Sequence, residues 1–221
     1  MIFNDPATTQ PIPKAPIVPP NFPPSKDPCP QSLDDIAARH ADFKVLLDQM
    51  KKMKNCPMPE VICASCDSAD PRYKTGGVYF DPPAGLNKRG GLMILCSGVW
   101  NDEIAFHELR HMLQYCKQAN GQSPFIPGVI RTSPVNGVSD NCMKHAGREF
   151  DAYYYTSCRS FASPSDRCEC AMNGCKGSAI GACKNLLDNP TAQANAESAC
   201  EAVKKEYEQK DCANSGVLAL V

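Results

Sequence analysis

His107-Glu108-Leu109-Arg110-His111 lies in a run whose apolar residues, Ile104, Ala105, Leu109, Met112, Leu113 and Cys116, recur at spacings of three and four. That period predicts a helix, capped by Asn101 or Asp102, running through Gln118 and stopped at Asn120-Gly121. Side chains four apart on a helix share a face, so His107 and His111 can converge on one metal ion. Glu108 is rotated roughly 100° from His107 and sits beside such an ion rather than among its ligands. With zinc as the guest, that is the place for a general base acting on a zinc-activated water. Arg110 is expected to face away.

A catalytic zinc takes three protein ligands and keeps one position open. The next predicted helix, Asp140 through Tyr155, contains Cys142-Met143-Lys144-His145-Ala146-Gly147-Arg148-Glu149-Phe150-Asp151-Ala152. Glu149 is the first choice for the third ligand. His145, one turn earlier on the same face, is an alternative ligand or a partner of one. Asp151 is expected to anchor a ring nitrogen of a ligand histidine, fixing its tautomer. Tyr153, Tyr154 and Tyr155 are candidate donors to an oxyanion, although packing accounts for them more readily. His40, the remaining histidine, reads as a packed side chain.

Upstream, Leu33, Ile36, His40, Phe43, Leu47, Met50 and Met53 predict one amphipathic helix ending before Pro57, with Ser32 and Asp35 as a capping box. Gly77–Phe80 and Gly91–Cys96 read as short paired strands. Gly121 to Ser139 reads as a long loop, 158–183 as a cysteine-dense loop, and a last helix begins near Thr191 and runs to about Lys210. Ten of the 20 prolines fall in the first thirty residues, so 1–28 reads as a stiff tail or spacer ahead of a single domain, 29–215. No internal repeat is present.

Composition narrows the class. In 221 residues, 23 Lys+Arg face 24 Asp+Glu without a polybasic run, which excludes electrostatic recruitment to nucleic acid. No apolar stretch reaches the roughly 20 residues of a membrane span. Fourteen cysteines point to disulfides and an oxidising compartment, yet the first residues carry neither a signal-peptide nor a transit-peptide pattern. Cys63-Ala64-Ser65-Cys66 has the spacing of a zinc ribbon or redox pair, but no second such pair completes a four-thiolate site. Cys158 with Cys168 and Cys200 with Cys212 have spacings that can staple helical hairpins, although connectivity is not readable from sequence.

The segments Gly76-Gly77-Val78-Tyr79-Phe80-Asp81-Pro82, Leu92-Met93-Ile94-Leu95-Cys96, His107–His111 and Tyr115-Cys116-Lys117, in that order, resemble the metallopeptidase family of the mitochondrial ATP-synthase processing protease. Cys142…Glu149-Phe150-Asp151-Ala152…Cys158 and Ala199-Cys200-Glu201-Ala202-Val203 through Cys212 continue the likeness, which spans roughly 60 to 212. Arg110, Asp151, the longer Cys142-to-Glu149 spacing, the 121–139 segment and the tail depart from it. The resemblance implies His107, His111 and Glu149 as zinc ligands and Glu108 as base. It also implies residence in the mitochondrial intermembrane space and a peripheral membrane or assembly partner.

The expectation is therefore an α+β, zincin-like domain: a small sheet beside the active-site helix, with disulfide-stapled C-terminal helices. It would hold one catalytic Zn²⁺ and cleave an extended polypeptide substrate as a metalloendopeptidase. The alternatives are a cysteine-rich assembly factor or binding module with a dispensable metal site, and a secreted peptidase or toxin.

Overall fold

A computed structural model describes residues 28–65, 76–82, 90–123, 135, 137–183 and 190–209. The tail up to 27, most of 121–139 and the end from 210 lie outside the described residues.

The first half is a three-stranded sheet covered on one face by helices. Ser32 caps α1 (Leu33–Ala37), its hydroxyl accepting from Asp35 N–H at 3.2 Å, while the Asp35 carboxylate accepts from Gln31 N–H. The single helix expected here is two. Ala38 ends α1, and His40 begins α2 (Ala41–Lys51) in extended backbone with no side-chain cap. The break lets Leu33 and Ile36 enter the same core as Phe43, Leu46, Leu47 and Met50. His40 is half-buried at the joint.

The sheet has the order β1-β3-β2. β2 (Gly77–Phe80) pairs antiparallel with β3 (Leu92–Cys96), as expected. β1 (Glu60–Ala64) pairs parallel on the other side of β3, with Ile62 opposite Ile94. The sequence reading missed β1, which is short, follows Pro57 and Pro59, and pairs only across a long crossover. Val61, Tyr79, Met93 and Leu95 alternate onto the core face.

α3 (Asp102–Ala119) closes this core with Ala105, Phe106, Leu109, Met112, Leu113 and Cys116. Asn101 Oδ1 caps it, accepting from Ile104 N–H at 2.9 Å, a bond of about 1 kcal/mol. The Cys56–Cys116 disulfide ties its last turn to the segment after α2. Closing 60 residues, that link contributes about 4 kcal/mol in the chain-entropy account.

The second half is helical: α4 (Asp140–Tyr155), α5 (Pro164–Ala179) and α6 (Pro190–Tyr207). α5 corrects the expected loop over 158–183. Ser163 accepts from Asp166 N–H, Pro164 sits in the first turn, and Cys168, Ala171, Met172, Cys175 and Ala179 form a buried helical stripe. These cysteines are core residues at helical spacing, a pattern hidden by reading them as loop crosslinks.

The disulfide partners also differ from the spacings noted above. Cys158 joins Cys170 rather than Cys168, and Cys200 joins Cys175 rather than Cys212. Cys142 joins Cys183 and Cys29 joins Cys63. Cys96 and Cys168 are disulfide-bonded as well. This oxidation fits an oxidising compartment or secretion. Among the described residues no helix is long and apolar enough to cross a membrane.

Candidate metal centre

The two halves carry separate apolar cores, and α3 meets both. Its apolar flank faces the sheet-side core, while Glu108, Arg110, His111 and Gln114, all buried, occupy the rest of its circumference. Polar groups in that position need partners, and α4 supplies most of them.

His107, His111 and Glu149 come together. Their side chains are only 12%, 8% and 10% exposed. His111 Nε2 lies 3.1 Å from His107 Nε2 and 3.3 Å from Glu149 Oε1, and His107 Nε2 lies 3.2 Å from Glu149 Oε2. A tetrahedral zinc with bonds of about 2.1 Å spaces its ligand atoms about 3.4 Å apart. The three distances, which use both Glu149 oxygens, are close to that spacing, and one ligand atom from each residue lies within 4.8 Å of the others. The two-nitrogen, one-carboxylate donor set suits zinc, so the residues present fit a divalent ion. Among the described residues these three form the group able to hold one.

His145 Nε2 stands 3.5 Å from Glu149 Oε1 and its side chain is 39% exposed. It lies at the wetter side of the triangle, outside the three-residue group. Burial holds its pKa below the ordinary histidine value, against the pull of Glu149, so its ring is neutral near pH 7.

Charge within the triangle is strongly coupled. Burial disfavours a charged His111, but Glu149, by proximity and hydrogen bond, outweighs it with help from Glu108 and pushes its pKa up to about 9. Burial likewise works against a charged Glu149, and His111 and His107 hold it well below the usual carboxylate range. A divalent ion therefore competes with a proton for this site. Zinc binding at pH 7 is expected to release about one proton, and its Kd to tighten up to about tenfold per unit from pH 6 to 8. Calorimetry in buffers of different ionisation enthalpy measures this. A Kd independent of pH over that range contradicts it.

Glu108 lies apart from the ligand atoms. Its carboxylate accepts from the backbone N–H of Tyr79 on β2. Gly77 permits this approach: a Cβ there would lie 2.9 Å from Ile104 Cγ2 and 3.2 Å from Glu108 Cγ. Burial raises the Glu108 pKa and Glu149 adds to the rise, while His107 and His111 oppose it. A carboxylate so disposed is a stronger base than one in water.

Asp151 does not touch a ligand histidine, contrary to expectation. It is fully buried and takes Arg110 in a two-bonded pair, Nε to Oδ2 at 2.7 Å and Nη2 to Oδ1 at 3.1 Å. It also accepts from Gln114 Nε2 and Tyr207 Oη, each at 2.8 Å. Gln114 is the residue that reaches the histidine, with Oε1 3.0 Å from His111 Nδ1. Arg110 faces away from the metal site, as expected, and its guanidinium lies 4.0 Å from the Tyr155 ring centre.

The tyrosines are placed by packing. Tyr153 lays its ring against His107, with centroids 4.6 Å apart, but its hydroxyl pairs with Ser178 on α5 at 2.9 Å. Tyr154 is buried against Phe150 and Tyr207, and Tyr155 lies under Arg110.

Two further ion pairs link the halves. Arg148 binds Asp81, just beyond β2, at 2.7 and 2.9 Å. Arg159 binds Glu103 at the start of α3 while packing over Phe106. Comparison with family models, with curated proteins and with solved structures finds no match to this chain.

Proposed function

We propose that this chain is a zinc-dependent endopeptidase in which His107, His111 and Glu149 hold the ion and Glu108 is the general base. The observation that carries the reading is a cluster of two imidazole nitrogens and one carboxylate, each within 3.3 Å of the next, beside a separate, buried carboxylate that is not part of it. A structural site is normally closed by four protein ligands, whereas three leave room for solvent and substrate. A zinc ion held there would supply Lewis acidity and lower the pKa of a water to about 7. Glu108 then takes the proton of the attacking water and passes it to the amine that leaves.

The edge strand supports a peptide substrate. Cys96 N–H donates to Gly76 O, and the pairs Val78–Ile94 and Phe80–Leu92 follow in register. Alternation therefore turns the Gly77 amide and the carbonyls of Gly77 and Tyr79 toward the edge of β2 that carries no strand among the described residues, the Tyr79 amide being taken by Glu108. An extended chain laid along that edge gains backbone hydrogen bonds and passes Glu108.

His145 is the donor we assign to the oxyanion formed at the carbonyl, since it is neutral, partly exposed and next to Glu149. His145→Phe is expected to lower kcat about 10²-fold with zinc retained. Loss of zinc in that variant makes His145 a ligand instead.

The order of motifs from Gly76 to Cys212 supports kinship with the family that processes a mitochondrial ATP-synthase subunit. With it comes a proposed home in the intermembrane space. The deciding experiment is zinc analysis of the oxidised protein, followed by cleavage of an unfolded polypeptide before chelation, after it, and after zinc is restored. One zinc per chain and activity that follows it support the enzyme. Bound zinc with no cleavage of any peptide favours the assembly factor or binding module.

A further inference from the structure

We propose that Gln114 is the positioning residue that fixes the tautomer of His111, and that Asp151 holds Gln114 in the one amide orientation able to do so. The proposal rests on the reading of His107, His111 and Glu149 as metal ligands.

The amide orientation follows from its neighbours. Gln114 Nε2 lies 2.9 Å from the carbonyl oxygen of Arg148 and 2.8 Å from Asp151 Oδ2. Both are acceptors, so that end of the side chain must be the NH₂ group. Oε1 is thereby left facing His111 Nδ1 at 3.0 Å, where it can only accept. Nδ1 must carry the hydrogen, and the lone pair of the neutral ring belongs to Nε2, the atom that faces His107 and Glu149. A flipped amide would set an oxygen against two other oxygens, Arg148 O and Asp151 Oδ2. Those two acceptors oppose that state, whereas His111 Nδ1 taken alone could meet either end of the amide.

Asp151, on α4, is held by donors from two other helices. Arg110 of α3 and Tyr207 of α6 occupy Oδ1, and Arg110 and Gln114 share Oδ2. The far end of this relay, Tyr207, is fully buried in the C-terminal core. His107 has no equivalent support: among the described residues its Nδ1 is buried without a hydrogen-bond partner, and the Tyr153 ring packs against it. Control of ligand orientation in this centre therefore falls on one histidine and comes from α6 through α4.

The test combines zinc affinity with nitrogen-15 NMR of the histidine rings. In the intact oxidised protein, at a pH where the ring is neutral, His111 should carry its hydrogen on Nδ1 whether or not zinc is added. Gln114→Met, which keeps the bulk and removes the acceptor, should weaken zinc binding about 10- to 100-fold and release the tautomer preference. Gln114→Glu separates positioning from mere packing. It restores an acceptor to Nδ1 but sets a second carboxylate beside Asp151, so a packing role predicts it to bind zinc no better than Gln114→Met. Positioning predicts tighter zinc binding by Gln114→Glu than by Gln114→Met. Hydrogen on Nε2 in the unmodified protein, or unchanged zinc affinity in Gln114→Met, overturns the proposal. Failure of the unmodified protein to take zinc, with hydrogen still on Nδ1, overturns the metal reading instead and leaves the hydrogen-bond relay standing.

Discussion

Glu108→Gln is expected to lower kcat for peptide hydrolysis by about 10²- to 10⁴-fold, the usual worth of a positioned general base, while one zinc stays bound per chain. The substitution is nearly isosteric, and the amide oxygen can still accept from Tyr79 N–H as the carboxylate does. The ligand triangle does not include Glu108, so metal content has no reason to fall. What disappears is the ability to hold a proton between attack and departure of the amine. Steady-state kinetics on a quenched peptide, with zinc measured on the same sample, reads both quantities. Undiminished kcat removes Glu108 from the chemistry, and undiminished biological function without cleavage points to a binding module.

The second large effect is on stability. Asp151→Ala is expected to destabilise the oxidised protein by about 3–5 kcal/mol, because it leaves the Arg110 guanidinium buried and unpaired. Arg110 is 6% exposed and Asp151 is 0% exposed, so water cannot take over the lost bonds. Gln114 Nε2 and Tyr207 Oη lose a shared acceptor at the same time. Exchanging both ion partners for apolar residues, Arg110→Met with Asp151→Leu, should recover much of the loss, since it removes the uncompensated charge. Urea titration of the two single variants and the double variant measures the coupling. A loss below about 1 kcal/mol for Asp151→Ala would mean that solvent reaches the pair.

The centre was legible where it is local. His107, Glu108 and His111 belong to one helix, and helical spacing alone determines which share a face. Glu149 was reachable because α4 has a clear period and carries few carboxylates. Gln114 was missed although it lies three residues from His111, on the neighbouring position of the next turn. An uncharged amide announces nothing until its partners on another helix are known. Asp151 was recognised as a supporting residue but given the wrong contact: its partner is Arg110, which faces away from the ligand histidines on the same helix. β1 and α5 failed for different reasons: a parallel pairing is a distant event, and cysteines that line a core look like crosslinks in a loop. The tyrosines follow the favoured packing reading, and the Tyr153 hydroxyl points to Ser178.

Each of the five disulfides described lies within one half: two among residues 29–116 and three among 142–200. The seam between the halves is made instead of ion pairs, one amide, stacked cations and the corners of the ligand triangle. These five covalent links tie each half within itself, and the contacts described across the seam are ones that acid or a competing chelator can undo. Acid or chelation is therefore expected to loosen the seam before it loosens either half.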